Sequence, residues 1–327
     1  MISEKDLEVA SAAFQRLQTS ISEVIVGQTE VVRYALIALL CKGNILFEGV
    51  PGLGKTLLVR TLASALGLKF SRIQFTPDLM PADIVGTDII TEEEGHRQFT
   101  FAAGPVFANV VLADEVNRAT PKTQSALLEA MEERTVTVGP STYTLEEPYI
   151  VLATQNPIEM EGTYPLPEAQ VDRFLLKAKV TFPSLEELVA ITERNTEGAG
   201  LQLPEQTASA SDILTAREIV REIPIAAGLR EYIARLVLAT HPENDLAPAQ
   251  IKEYVEYGGS PRAALALVMG AKAHAFLCGE INVRREDIEA VFQPALTHRL
   301  VMNFRGEAEG ISADTLLEEV WKKTPTN

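Results

Sequence analysis

The sequence predicts an α/β fold: a parallel sheet sandwiched by helices, interrupted by β-hairpin insertions and followed by an all-helical domain. Three observations carry this expectation. Short apolar strands alternate with amphipathic helices as far as Pro183, the arrangement that builds parallel sheets. Two segments break that rhythm with strand-like patterns around turns. Beyond Pro183 the strand signals stop, and helices opened by Ser, Asp or Pro follow one another. The expected division is residues 1–183 for the α/β domain with its N-terminal helices and 184–327 for the helical domain.

In chain order, Leu7, Ala10, Phe14 and Leu17 lie at helical spacing, so residues 6–20 read as an amphipathic helix and 28–40 as a second. A short strand at 44–47 leads into a glycine-rich turn and a helix at 55–66. Further strands are expected at 69–75, 110–114, 149–154 and 175–182, with a helix at 121–133 between two of them. The hairpins are expected at 88–101 and 135–147. Helices then read at 184–195, 211–221, 229–240, 247–257, 262–278 and 285–297, and 197–206 is the expected loop. Leu316, Leu317, Val320 and Trp321 form a terminal apolar stripe that suits packing on the chain's own helices or docking of a partner.

The chain has 327 residues, enough for two domains, and 46% of them are hydrophobic, which excludes wholesale disorder. Lys and Arg number 29 against 45 Asp and Glu, a formal charge of −16. That balance argues against a surface built broadly for phosphate backbones or anionic lipid. Two cysteines, Cys41 and Cys278, are too few for a disulfide scaffold or a zinc finger. The start of the chain lacks a basic segment followed by an apolar one, and the most apolar stretch (31–41) is interrupted by Arg33 and falls short of the ~18 residues a membrane helix needs. A cytoplasmic setting without membrane insertion is expected.

The chemistry concentrates in two motifs. Gly49-Val50-Pro51-Gly52-Leu53-Gly54-Lys55-Thr56 fits G-x-x-x-x-G-K-[ST] between a strand and a helix. Glycines there let successive backbone N–H groups curl around a phosphate, and the helix N-terminus at Lys55, Thr56 and Leu57 adds positive potential. Lys55 is expected on the β- and γ-phosphates and Thr56 on Mg²⁺. Val110-Val111-Leu112-Ala113-Asp114-Glu115 is an apolar strand ending in two acids. Asp114 beside Mg²⁺ and Glu115 on the attacking water are what in-line hydrolysis of a γ-phosphate requires. No N-K-x-D guanine selector is present, which favours ATP over GTP. The four histidines, His96, His241, His274 and His298, show no metal spacing.

With Val26-Gly27-Gln28, Ala113 through Ala119, Leu127 through Arg134, Ala153-Thr154-Gln155-Asn156-Pro157, Pro165 through Phe174 and Gly259-Ser260-Pro261-Arg262, these motifs resemble the AAA+ ATPases and specifically the MoxR family, over about residues 26–300. The resemblance implies an AAA+ P-loop NTPase module with a helical lid. It implies Asn156 as the sensor that orients the lytic water, Arg173 as an arginine finger reaching a neighbouring subunit, and Arg262 as the lid arginine, in cis or in trans. Gly27 and Gln28 resemble the segment near the adenine, and Arg118 and Arg134 are further candidate interface cations. The family pattern also implies a homo-oligomeric ring, most simply a hexamer, acting as a chaperone on a client protein with a partner carrying a von Willebrand factor A-type domain. The hairpins resemble insertions that touch substrate; Arg97 is outnumbered by Glu92, Glu93 and Glu94 in the first, and the second has no Lys or Arg after Arg134. No nucleic-acid binding is therefore expected. Two rival readings stay open: a nucleic-acid-dependent AAA+ motor and a non-hydrolysing nucleotide-dependent scaffold.

Overall fold

The computed structural model describes residues 4–93, 96–157, 163–196 and 202–326. Two helices, α1 (Glu4–Val24) and α2 (Thr29–Leu40), lead into β1 (Ile45–Glu48), α3 (Lys55–Ala65) and β2 (Phe70–Gln74). A short helix, α4 (Pro81–Val85), is followed by the first hairpin, β3 (Gly86–Glu93) and β4 (His96–Ala103). Then come β5 (Val110–Asp114), α5 (Pro121–Glu133), the second hairpin of β6 (Thr135–Val138) and β7 (Ser141–Thr144), β8 (Ile150–Gln155), α6 (Glu168–Val171) and β9 (Leu176–Lys179). The central sheet has order β2-β5-β8-β1-β9 and is parallel throughout. Strand runs such as Val110–Asp114 are buried on both faces, as a sheet covered by helices on two sides demands. Ile45 and Phe47 enter one core layer with α1, α2 and α3, while Leu46 enters the other with α5. That is the period-2 signature of a strand between two apolar layers.

The rest of the chain is α7 (Leu185–Thr196), α8 (Ala210–Glu222), α9 (Ala227–Leu238), α10 (Ala249–Tyr254), β10 (Val255–Tyr257), α11 (Pro261–Cys278), α12 (Arg285–Leu296), β11 (Val301–Met302), α13 (Phe304–Ala308) and α14 (Ala313–Lys323). One expected helix is corrected: 247–257 is helical only to Tyr254, and Val255–Tyr257 pairs antiparallel with Val301–Met302. Val255 and Tyr257 are strand-formers, and Gly258-Gly259 with Pro261 reset the chain before α11. The strand expected at 175–182 is likewise shorter, ending at Lys179. Much of the loop expected at 197–206, and Glu94 with Gly95 at the tip of the first hairpin, lie outside the described residues. The stripe on α14 packs inward: Leu316, Leu317 and Val320 are buried, and Trp321 meets Tyr232 and Phe292.

The helical part is pinned to the sheet by a buried arginine. Arg299 donates through Nε to Asp172 Oδ1 at 2.6 Å and through Nη2 to the Phe174 carbonyl at 2.8 Å. Beside it, His298 Nε2 bonds the Phe174 carbonyl at 3.0 Å, which requires the N–H on that nitrogen, and its Nδ1 is buried without a partner. Burial, reinforced by the Arg299 charge, holds His298 well below the ordinary histidine pKa. Its folded pKa therefore lies below its unfolded value of ~6.5, and the unfolded chain takes up the extra proton. The stability that neutral His298 contributes is present above that pH and is lost as pH falls below it. Because His274, raised to about 9 against the pull of burial by its bond to Asp287, gains stability as pH falls over the same range, the test is a difference: between pH 7.5 and 5.5 His298→Gln, which keeps an N–H for the Phe174 carbonyl, should lose less thermal stability than the unmodified protein. An identical drop in the variant excludes His298 as a source.

Candidate functional site

In a parallel sheet all the loops that follow the strands emerge at one end. The loops after β1, β5 and β8 therefore gather there, and with β8 between β5 and β1 the Asn156 segment lies between the glycine-rich loop and the paired acids. Gly49 N–H donates to the Gln155 carbonyl at 3.2 Å, which joins the first loop to the third. Asn156 itself is buried.

Gly52 and Gly54 have φ of 86° and 75°, and a Cβ on either would meet no atom within 4 Å. The backbone curls around open space that side chains would fill, which is the form of a phosphate cradle. Gly49 serves differently, because a Cβ there would lie 2.7 Å from the Val180 carbonyl. Leu53 is buried, and Val50 and Leu57 pack against the same core, which leaves the loop's backbone to the cradle. Pro51, exposed at the turn, offers no N–H. Lys55 is buried, and its Nζ donates to the Gly49 carbonyl at 2.5 Å. Burial lowers its pKa, and the charges of Asp114 and Glu115 oppose the shift. Gln28 Nε2 donates to the Leu53 carbonyl at 2.9 Å, so the segment ahead of α2 braces the cradle. Gly27, at φ 68°, takes a left-handed conformation that favours glycine, and a Cβ there would displace the flexible carboxylate end of Glu187 of α7, 2.3 Å away.

At the end of β5, Thr154 Oγ1 donates to Asp114 Oδ1 at 2.7 Å and accepts the Glu115 N–H at 2.8 Å. Glu115 sits at φ 59°, a left-handed conformation that a non-glycine residue holds only where its surroundings impose it. Its carboxylate accepts from Gln74 Nε2 at 2.9 Å and pairs with Arg118 at 3.2 Å. Arg72 Nη2 reaches Asp114 Oδ2 at 2.7 Å. The cradle and Lys55 fit a nucleotide's phosphates. The Thr56 hydroxyl and Asp114 carboxylate are hard oxygen donors of the kind Mg²⁺ takes.

Arg173 and Arg262 are elsewhere. They line a cavity of about 300 Å³ together with Asn44, Glu132, Asp172 and Arg299. Asn44 immediately precedes β1, whereas the cradle follows it, so the two sites lie at opposite ends of a four-residue strand, roughly 13 Å of rise. Glu132 of α5 binds both arginines, Arg173 Nη1 at 2.6 Å and Arg262 Nη2 at 2.7 Å. Arg134 turns inward instead, donating to the Tyr149 and Lys42 carbonyls at 3.1 and 2.8 Å.

The hairpins lean on each other. Phe101 of β4 stacks on Tyr143 of β7 at 4.1 Å, with Phe107 edge-on to both. Ile90 and Phe99, opposite one another in the first hairpin, are 64% and 77% exposed and form an adjacent apolar pair.

The parallel sheet, the glycine cradle with Lys55, the acids ending β5 and the helical second part together define an AAA+ ATPase, the architecture of a nucleotide-hydrolysing enzyme. The model of the ATPase family associated with various cellular activities matches residues 44–176, and the AAA lid domain matches 248–320. The chain belongs to the MoxR family: it is 44% identical over 308 residues to Chaperone MoxR1 of Mycobacterium tuberculosis, covering 94% of this chain and 80% of that one. It is 31% identical to Protein MoxR of Paracoccus denitrificans, covering 89% of each. A solved structure described as a putative ATPase from Cytophaga hutchinsonii superposes with a TM-score of 0.91 at 41% identity, over 98% of this chain and 97% of that one. No helix among the described residues is long and apolar enough to cross a membrane.

Arg72, Gln74, Thr154 and Glu132 take part in these sites although their types alone assign them no role. The signal for the first two is alternation: residues 72 and 74 share one face of β2, beside β5.

Proposed function

We propose that this chain hydrolyses ATP with Mg²⁺ inside a homo-oligomeric ring and uses the cycle to remodel or activate a client protein. The observation that carries the reading is the separation of the phosphate-and-acid site from the cavity lined by Arg173 and Arg262 at the other end of β1. Such a division is productive when the cavity of one subunit meets the cradle of the next, which closes head to tail into a ring; six subunits is the family's usual number. In the cradle, Lys55 and the loop amides hold the phosphates while Thr56 and Asp114 hold Mg²⁺, which when bound neutralises charge on the phosphate oxygens. Glu115 accepts the proton of the attacking water, Asn156 orients that water, and Gly27 and Gln28 border the adenine. Arg173 and Arg262 serve the neighbour's γ-phosphate; that both pair with Glu132 supports reading Arg262 in trans alongside Arg173.

The exposed Ile90–Phe99 pair, flanked by Glu92, suits an extended polypeptide with apolar and basic residues. The name of the M. tuberculosis relative supports a chaperone role here, and a von Willebrand factor A-domain protein is the partner we propose. Native mass spectrometry of Glu115→Gln with ATP tests the ring, and proteomics of what co-purifies with that variant tests for a client. A monomer under all nucleotide conditions contradicts the reading. Fluorescence anisotropy should find no DNA binding at physiological salt tighter than the ~10⁻⁴–10⁻⁶ M of non-specific binders. Tight, steeply salt-dependent binding favours the nucleic-acid motor instead.

A further inference from the structure

Both acids at the end of β5 are held by side chains of the neighbouring strand. Arg72 Nε and Nη2 donate to Asp114 Oδ2 at 3.1 and 2.7 Å, and Nη2 also reaches Gln74 Oε1 at 2.5 Å. The amide of Gln74 continues to Glu115 Oε2 at 2.9 Å. The parallel register accounts for the geometry, since Gln74 lies opposite Asp114 and Arg72 opposite Leu112. Because Thr154 occupies Oδ1 at 2.7 Å, each oxygen of Asp114 already has a protein donor, and its charge is matched by a guanidinium.

A purely structural reason for this pair is weak. The Arg72 side chain is 46% exposed against 12% for Asp114, so the arginine's side of the pair is screened by water and its contribution to stability is discounted accordingly. Five residues of ladder already fix β2 to β5. What Arg72 does impose is a positive charge on the carboxylate assigned to Mg²⁺. A dication approaching that carboxylate meets a like charge and must share lone pairs that the guanidinium uses.

We propose that Arg72 is an internal counter-cation of Asp114 that competes with the divalent metal, and so sets the free Mg²⁺ the site requires. Gln74 is its anchor. Arg72 is thus a positioning residue that acts on the metal through Asp114, and the inference rests on the ATP–Mg²⁺ reading above.

The test follows binding of a fluorescent ATP analogue to the full chain while Mg²⁺ is raised from a chelated baseline. Chelation of metal by the analogue is common to all variants and cancels in the comparison. Arg72→Gln should lower the Mg²⁺ midpoint about tenfold, equivalent to about 1.4 kcal/mol. Arg72→Lys, which keeps the charge but loses the fork, should lower it less. Analogue binding in chelator should be equal in all three proteins, and melting temperatures should differ by no more than about 4 °C. If Arg72→Gln does not fold, Gln74→Ala carries the test, with a smaller shift in the same direction. An unchanged or raised midpoint in a folded variant overturns the proposal. Binding by the unmodified protein that Mg²⁺ does not change also overturns the proposal, whereas no analogue binding at any Mg²⁺ concentration refutes the nucleotide reading instead, so the two failures are distinguishable.

Discussion

Arg173→Ala is expected to lower ATP turnover by about 10³-fold or more while changing nucleotide affinity little. A cation brought to the γ-phosphate from outside stabilises charge that spreads over its oxygens in the transition state, so its loss appears in the rate and not in ground-state binding. Arg173 opens onto a cavity at the far end of β1 from its own cradle, and its partners there are Glu132 and the Leu128 carbonyl. Complementation tests the trans role. Mixing Arg173→Ala with Glu115→Gln creates interfaces where an intact Arg173 meets an intact Glu115, and a coupled ATPase assay should register partial recovery. Mixing Arg173→Ala with Arg262→Ala should give none, because no subunit then presents Arg173 and Arg262 together. No recovery in the first mixture, with subunit exchange verified by mass, removes Arg173 from a trans role.

Lys55→Ala and Glu115→Gln should fail in different ways. Removing the Lys55 ammonium deletes charge-assisted hydrogen bonds to phosphate, each about 1.5–3 kcal/mol, so affinity should fall roughly 10- to 100-fold. Glu115→Gln keeps the shape and the Thr154 contact to its N–H, so affinity should hold within a few-fold, while losing the proposed general base should lower turnover about 10²–10⁴-fold. Titration with a fluorescent ATP analogue beside a turnover assay separates the two. Equal affinity losses contradict the assigned roles.

The cradle was legible in the sequence because its chemistry is local: glycines at fixed spacing, a lysine and a hydroxyl between strand and helix. The strand ending in Asp114 and Glu115 was legible for the same reason, and Val110–Asp114 and Pro121–Glu133 begin and end where the apolar pattern places them. Arg72 on Asp114 was not legible, because it depends on which strands are neighbours, and β2 and β5 are about 40 residues apart in sequence. Glu132 was hidden likewise: an acid near the end of an amphipathic helix reads as a solvated face until Arg173 and Arg262 are folded onto it. The strand Val255–Tyr257 was missed because three residues carry too little periodicity to outweigh the helix before them.

The stacked rings of Phe101 and Tyr143 have a mechanical consequence. The first hairpin springs from the segment after β2 and returns to β5; the second springs from α5 and returns to β8. Locked ring to ring, the two become a single braced arm with four roots, and a tug on Ile90 or Phe99 at its outer part divides among them. Two of those roots, β5 and β8, are the strands that lead directly into Glu115 and Asn156. A load on the arm is therefore delivered to the strands that lead into the residues proposed to act on water, and severing the stack with Tyr143→Ala should uncouple a load on the hairpin from ATP turnover without touching either residue.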